Sequence, residues 1–149
     1  MSAASPPIVL DTNVLVAGAC RHESSLAYRI LMAVLQRRVQ LILTEGIIAE
    51  YEEVLGRLAV RRLTGLTSTQ NGELVLDLIA LSLQTQLHFN WRPNLIDEAD
   101  NKFIEAAISG TAIIITYNTR DFERRDLKKL SWDVMTPLDF TTRYDLETI

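Results

Sequence analysis

The stretch Ala112-Ile113-Ile114-Ile115-Thr116 is the clearest strand in the sequence. Successive side chains of a strand point to opposite faces of its sheet, so an unbroken run of isoleucines predicts a strand that is buried on both faces. Such strands are typical of parallel sheets covered by helices. Gly110 lies just before the run, where it is expected to end a helix in a left-handed closing turn. The run therefore favours an α/β fold.

On both sides of this run, short apolar segments typical of strands alternate with longer segments whose apolar residues have helical periodicity. Further strands are predicted at Ile8–Leu10, Val39–Leu43, near Leu87–Phe89 and at Trp132–Met135. Helices are predicted from a Ser24 or Ser25 cap to a basic last turn at Arg37-Arg38, over 45–62 after a Thr44 cap, over 69–85, from Asp97 to Gly110, and near 122–130. We therefore expect an α/β sandwich around a mainly parallel sheet of about five strands.

Length and composition indicate one domain over residues 1–149. Hydrophobic residues make up 48% and charged residues 23% of the chain, which excludes a disordered protein. Cys20 is the one cysteine, so no internal disulfide is expected and a reducing, cytoplasmic location is favoured. The N-terminus lacks the features of a signal peptide, and no apolar run has membrane-spanning length, so no membrane association is expected.

Polar residues follow two of the predicted strands, at the position where parallel sheets form their sites. Asp11 and Asn13 come after the first strand; Asn118 and Asp121 come after Thr116. Alone, each has an ordinary explanation, because Asp and Asn form turns and Asp caps helices. If the two strands are neighbours, however, the Thr116 hydroxyl lies where it supports the Asp11 carboxylate.

Carboxylates of two predicted helices lie at or near a buried face. In the helix over 45–62, Glu50 and Glu52 lie on opposite borders of the apolar stripe, whereas Glu53 faces solvent. Each border position is equally typical of a solvated helix flank. The helix periodicity therefore leaves both Glu50 and Glu52 as candidates.

The helix that begins at Asp97 carries the more informative acid. Asp100 points into the middle of its apolar arc, and burying a carboxylate is costly unless it is paired or bound to a metal. Asp97 is explained as the helix N-cap. Lys102 and Glu105 are predicted on the outer face, as ordinary surface residues.

Four segments together resemble the successive motifs of the PIN-domain nucleases. They are Val9-Leu10-Asp11-Thr12-Asn13-Val14-Leu15, Glu50-Tyr51-x-x-Val54-Leu55, Asp97-x-x-Asp100-Asn101-x-Phe103 and Ile115-Thr116-x-Asn118-x-x-Asp121-Phe122, in this order. The resemblance covers nearly the whole chain and is nearest to the bacterial branch of VapC-like toxins from toxin–antitoxin systems. It implies a three-layer α/β/α fold with a central parallel sheet and frequent dimerisation.

The resemblance also selects site residues. It implies the acidic set Asp11, Glu50, Asp100 and Asp121, with Thr116, Asn13 and Asn118 as polar supports. Glu50 is thereby favoured over Glu52. One departure is Tyr117, which stands where relatives in this branch commonly have glycine, and it predicts altered substrate access.

A metal-dependent ribonuclease is the function that this resemblance implies. Mg²⁺ and Mn²⁺ prefer oxygen ligands, and Asp11 and Asp100 are expected as the principal ones. Glu50 either ligates, directly or through water, or orients the attacking water, and Asp121 is the fourth carboxylate. One ion would activate a water for attack on phosphorus, and a second would stabilise the leaving oxygen.

RNA is the expected substrate, and a cognate antitoxin protein and a second copy of the chain are the expected partners. The formal net charge of −4 opposes phosphate binding, but carboxylates that hold cations no longer repel phosphate. Arg120, Arg124 and Arg21 either bind RNA phosphates or belong to a solvated surface.

Two other functions compete with this one. The first is a catalytically inactive PIN-fold module that binds RNA or protein. The second is a phosphatase with an aspartyl nucleophile, which generally needs a second Asp two residues after the first, and position 13 is Asn.

Overall fold

Parallel strands form the centre of the molecule, as a computed structural model of residues 5–84, 101–122 and 133–146 shows. The strands in these ranges are β1 (Ile8–Leu10), β2 (Ile42–Leu43), β3 (Leu83–Gln84), β4 (Ile113–Ile115) and β5 (Asp133–Met135). The helices there are α1 (Thr12–Ala19), α2 (Leu26–Leu35), α3 (Glu45–Leu55), α4 (Leu58–Thr64), α5 (Ser68–Leu81), α6 (Asn101–Gly110) and α7 (Pro137–Arg143), with a 3₁₀ helix at Thr119–Phe122.

The sheet is parallel throughout its paired strands. β4 lies between β1 and β5, with Leu10 opposite Ile115, and β2 pairs with β3. A single parallel bridge between Ile8 and Leu41 joins the two groups, which gives the order β3–β2–β1–β4–β5. The predicted α/β class with a mainly parallel sheet is confirmed.

Both faces of the central strands are covered. Ile8, Val9 and Leu10 are each 0% exposed, although alternate residues of a strand point to opposite faces. The isoleucines of β4 are buried in the same way. α6 packs on this sheet, against β1, β2 and β4, and α2 packs against the helices α1, α5 and α7. The chain therefore has the layered α/β/α arrangement that the family resemblance implies.

Several helices begin at the capping residues that the sequence offers. Ser25 and Thr44 accept hydrogen bonds from Tyr28 N and Ile47 N, as predicted. The helix predicted over 45–62 is wrong, because it is split at Gly56 and Arg57 into α3 and α4. The basic last turn predicted for α2 is also wrong, since the helix ends at Leu35.

Two helices have no counterpart in the sequence prediction. α1 follows Asp11 directly, and α7 begins after Thr136, whose hydroxyl oxygen accepts a hydrogen bond from Asp139 N. The helix over 69–85 corresponds to α5. The strand predicted near 87–89 and the helix predicted near 122–130 fall on residues 85–100 and 123–132, outside the described residues.

Gly110 has a different role from the one predicted for it. The positive φ after α6 belongs to Thr111 (51°), so Gly110 does not supply the left-handed turn. A Cβ at Gly110 would instead lie 3.0 Å from Cγ1 of Ile42, a fully buried residue of β2. The glycine therefore allows the end of α6 to approach the sheet closely.

Candidate active site

Asp11 lies at the carboxyl end of β1 and caps α1. Its backbone is extended (φ −62°, ψ 148°), and its Oδ1 accepts a hydrogen bond from Thr12 N at 2.8 Å. Its own backbone N–H donates to the Ile115 carbonyl at 2.9 Å, which fixes it to β4. With only 9% of the residue exposed, this carboxyl group is held at a defined place between two strands.

Thr116 supports Asp11 from the neighbouring strand. β1 and β4 are neighbours, as expected, and Thr116 Oγ1 donates to Asp11 Oδ2 at 2.7 Å. The same hydroxyl oxygen accepts from Asn118 N at 3.0 Å, so it also fixes the start of the loop after β4. Thr116 is 0% exposed, while Tyr117 and Asn118 are exposed. The loop therefore presents its side chains to solvent around a rigid support.

Tyr51 anchors α3 to the same strand end. Its hydroxyl donates to the Leu10 carbonyl at 2.5 Å, one residue before Asp11, and the side chain is fully buried. The sequence predicted no polar contact for Tyr51, which entered as part of the Glu50-Tyr51 motif. The signal was present in the residue type, because a buried tyrosine usually places its hydroxyl on a partner.

Glu50 reaches the site from α3 and has two donors. Its Oε2 accepts a hydrogen bond from Thr12 Oγ1, and its Oε1 accepts one from Lys102 Nζ at 2.8 Å. Of the two border glutamates, Glu50 therefore lies beside Asp11 through Thr12, whereas Glu52 is exposed. Lys102 was predicted to be an ordinary surface residue. That prediction is wrong, because its ammonium forms an ion pair inside this cluster.

The electrostatics of Asp11 reflect its surroundings. Burial raises the pKa of the Asp11 carboxyl above its ordinary value, and the hydrogen bonds from Thr116 and Thr12 oppose this rise. The negative charges of Glu50 and Asp121 raise the same pKa further. Burial also raises the pKa of Tyr51 well above its ordinary value, with Asp11 and Glu50 adding to the effect. The charges of Glu50 and Asp121 are thus close enough to act on the Asp11 carboxyl at this end of the sheet.

The other predicted site residues are placed as follows. Asp121 is exposed in the 3₁₀ helix, next to the exposed Arg120. Asn13 lies in the first turn of α1, and its Oδ1 is buried with no hydrogen-bond partner in the part of the chain that the structure describes. Arg21 donates from Nη2 to the Thr64 carbonyl at 3.2 Å, at the end of α4. Asp97, Asp100 and Arg124 lie outside the described residues.

The oxygen donors at and beside Asp11 suit a hard divalent ion. Within residues 5–84, 101–122 and 133–146, no three Asp, Glu, His or Cys side chains are grouped closely enough to hold a metal. Asp11 nevertheless keeps free lone pairs after its two hydrogen bonds, because a carboxylate has about four acceptor positions. Asn13 Oδ1, two residues along the chain, is a further buried oxygen that has no hydrogen-bond partner among the described residues. Oxygen donors of this kind are what Mg²⁺ and Mn²⁺ prefer.

A comparison with known protein families identifies the family of the chain. The family model of the PIN domain matches residues 7–120, and the chain belongs to that family. No curated protein sequence is similar enough to the chain to give a match. PIN domains are commonly nucleases that act on RNA, typically with divalent metals, so a nuclease-type function is indicated. Of the helices in the described part of the chain, none is long and apolar enough to span a membrane.

Proposed function

We propose that this protein is a metal-dependent ribonuclease that hydrolyses RNA phosphodiester bonds with Mg²⁺ or Mn²⁺. The observation that carries the proposal is Asp11. It is a buried acid at a strand end, oriented by Thr116 and Thr12 and repelled by Glu50 and Asp121. No ion pair within the described ranges involves Asp11. A buried carboxylate in such surroundings calls for a cation.

In this proposal Asp11 and Asp100 are the principal ligands, and Asp121 is a further carboxylate beside them. A bound divalent ion supplies an activated water and positive charge at the reacting phosphate. The protein supplies orientation: Thr116 fixes one oxygen of Asp11 and the Thr12 N–H fixes the other. One donor is a backbone N–H, and the other is the hydroxyl of the fully buried Thr116. The carboxylate is therefore held in place before a metal or substrate binds.

RNA is proposed to bind at the exposed rim of the acidic residues. Arg120 is exposed beside Asp121 and is proposed, with Arg124, to bind phosphates. Arg21 contributes less, since one of its N–H groups is already bound to the Thr64 carbonyl. Tyr117 is 50% exposed next to Thr116, and its ring is proposed to restrict the access of RNA to the acidic site.

RNA cleavage by the purified protein with Mn²⁺ tests the proposal. We expect Asp11→Asn and Asp100→Asn each to lower the rate by at least about 10²-fold, because changes to mere supports of metal ligands already cost 10–100-fold. Asp77→Asn is the matched control, since Asp77 is an exposed carboxylate on α5, and it should cleave like the wild type. Equal cleavage by all four proteins would mean a contaminating nuclease and would overturn the assignment.

An inactive RNA- or protein-binding module is the alternative outcome. In that case the wild type would bind RNA in a mobility-shift assay and cleave none of it, with or without Mn²⁺. The chain keeps all four acidic residues that the family resemblance implies, and the negative charges of Glu50 and Asp121 act on the Asp11 carboxyl. These charges are unfavourable for a module that only binds phosphate, so the nuclease is the better-supported proposal.

The biological role of a toxin in a toxin–antitoxin system remains a prediction from the VapC-like resemblance. The homodimer and the cognate antitoxin are predictions from the same resemblance, while the single domain over 1–149 and the cytoplasmic location are predictions from length, composition and the one cysteine. Growth arrest on expression, relieved by co-expression of the protein encoded by a small adjacent gene, would support it. Harmless overexpression of protein that cleaves RNA in vitro would contradict it.

A further inference from the structure

Lys102 is the cation that the structure brings into the acidic site. It lies in the first turn of α6, and its ammonium contacts Glu50 Oε1 on α3 at 2.8 Å. The side chains of Lys102 and Glu50 are only 29% and 20% exposed. This pair is therefore partly desolvated, and the attraction within it is stronger than between two charges in water.

The stem of Lys102 is guided to this place by α3. A Cβ at Gly46 would lie 3.9 Å from Lys102 Cβ and 4.0 Å from its Cδ, so the aliphatic chain passes along the first turn of α3. Glu50 is one helical turn further on. The stem therefore lies close to Gly46, and the Lys102 side chain is only 29% exposed, which distinguishes it from a lysine that extends fully into solvent.

Glu50 has both oxygens engaged by protein groups. The Thr12 hydroxyl donates to one and the Lys102 ammonium to the other. Thr12 is itself fixed, because its backbone N–H donates to Asp11. Asp11 differs from Glu50 in having no cationic partner within the described residues. One of the two neighbouring carboxylates is thus neutralised from within the chain, and the other is not.

We propose that the Lys102 ammonium takes the place of a second divalent cation at Glu50, so that this site binds a single metal ion. This inference rests on the proposed function. Glu50 then orients Thr12 and Lys102 instead of ligating the ion. The fixed positive charge of Lys102 faces the same acidic site, where a second divalent ion would otherwise balance the carboxylates and the phosphate.

Counting bound Mn²⁺ tests the inference without any measurement of cleavage. Electron paramagnetic resonance of free Mn²⁺ gives the number of ions bound per chain. We expect about one for the wild type and about two for Lys102→Met, because the variant frees Glu50 to ligate. Lys102→Arg retains the charge and should stay at about one. Lys102→Gln is a second neutral variant in case Lys102→Met fails to fold.

Arg57→Met is the matched control for loss of a positive charge. Arg57, the N-cap residue of α4, pairs with Glu53 of α3 at 2.7 Å, but both side chains are 58% exposed. It should bind as many ions as the wild type. About two ions in the wild type, or an unchanged count in both neutral Lys102 variants, would overturn the inference on Lys102 and leave the ribonuclease proposal standing. No Mn²⁺ bound by any of the proteins would overturn both.

Discussion

Helix α3 carries two glutamates that are paired with a cation at nearly the same distance, and they lie in different surroundings. Glu50 meets Lys102 at 2.8 Å where the side chains are 20% and 29% exposed, while Glu53 meets Arg57 at 2.7 Å where both are 58% exposed. The inner pair also contacts Thr12, next to Asp11. Exposed pairs contribute little, because solvent screens them. The same residue types therefore form a site in one region and an ordinary surface in the other.

The comparison extends to the rest of these two regions. The inner residues are at least partly buried: Asp11 and Glu50 at the carboxyl ends of the strands, and Gly110 at the far end of α6, where the helix approaches Ile42 of the sheet. The outer region, the exposed flank of α3 and α5, holds Glu53, Asp77 and Gly72 in solvent. Each inner residue thus has an outer counterpart of the same type, and paired substitutions measure how much the surroundings contribute.

The glutamates should show the largest difference. Glu50→Gln removes the negative charge that orients Thr12 and Lys102, and we expect RNA cleavage to fall by about 10–100-fold, as for other residues that orient metal ligands. Glu53→Gln, three residues along the same helix, should leave the rate unchanged. Initial cleavage rates at saturating Mn²⁺ measure both. An equal loss of cleavage rate in the two variants would contradict a role for Glu50 in the active site.

The glycine substitutions should show a smaller difference, measured in the free energy of unfolding. One should destabilise the protein and the other should stabilise it. Gly110→Ala places a Cβ 3.0–3.2 Å from three side-chain carbons of the buried Ile42, and overpacking of this kind costs about 1–3 kcal/mol. Gly72→Ala, inside α5 with nothing within 4 Å of the added Cβ, should increase the free energy of unfolding by about 0.5–1 kcal/mol. Urea denaturation measures both. A stabilising Gly110→Ala would contradict the close approach of α6 to the sheet.

The aspartates should show the smallest effect, in the pH dependence of stability. Burial raises the folded-state pKa of Asp11 above its usual 3.8, so the metal-free folded protein binds this proton more tightly than the unfolded chain does. The contribution of Asp11 to stability is present at low pH and is lost as the pH rises through its folded-state pKa.

Asp11→Asn removes this titration while keeping an acceptor for the Thr12 N–H. With EDTA present, the difference in the free energy of unfolding between Asp11→Asn and the wild type should therefore grow in favour of the variant as the pH rises from about 4 to 7. Asp77→Asn, the outer counterpart, is the control for a lost carboxylate. A difference that shrinks with rising pH would contradict the burial of an uncompensated Asp11.

Much of the fold was predictable because strands and capping residues are local signals. The isoleucines of β4 and the caps at Ser25 and Thr44 each act over a few residues. α1 was not predicted, because Asp11-Thr12-Asn13 equally favours a turn and the helix that follows is rich in small residues. The break between α3 and α4 was missed since apolar periodicity continues across Gly56.

The acidic residues of the candidate site were predicted from the sequence, whereas some of the residues that bind them were not. Thr116 was found because its position at a strand end follows from the order of the sheet. Lys102 was missed because helical periodicity assigns a face to the Cβ, whereas four further carbon–carbon and carbon–nitrogen bonds let the ammonium reach Glu50 on another helix. Contacts of long side chains between elements depend on how helices pack, and periodicity does not contain that information.

The central claim is that carboxylates from distant parts of the chain share a divalent cation. A crystal soaked with Mn²⁺ and measured at a wavelength that gives anomalous scattering from manganese tests it most directly. We expect an anomalous peak about 2 Å from a carboxylate oxygen of Asp11, with Asp100 as a second ligand of the same ion. Ordered carboxylates of Asp11 and Asp100 that lie too far apart to share an ion, with no peak beside Asp11, would contradict the claim.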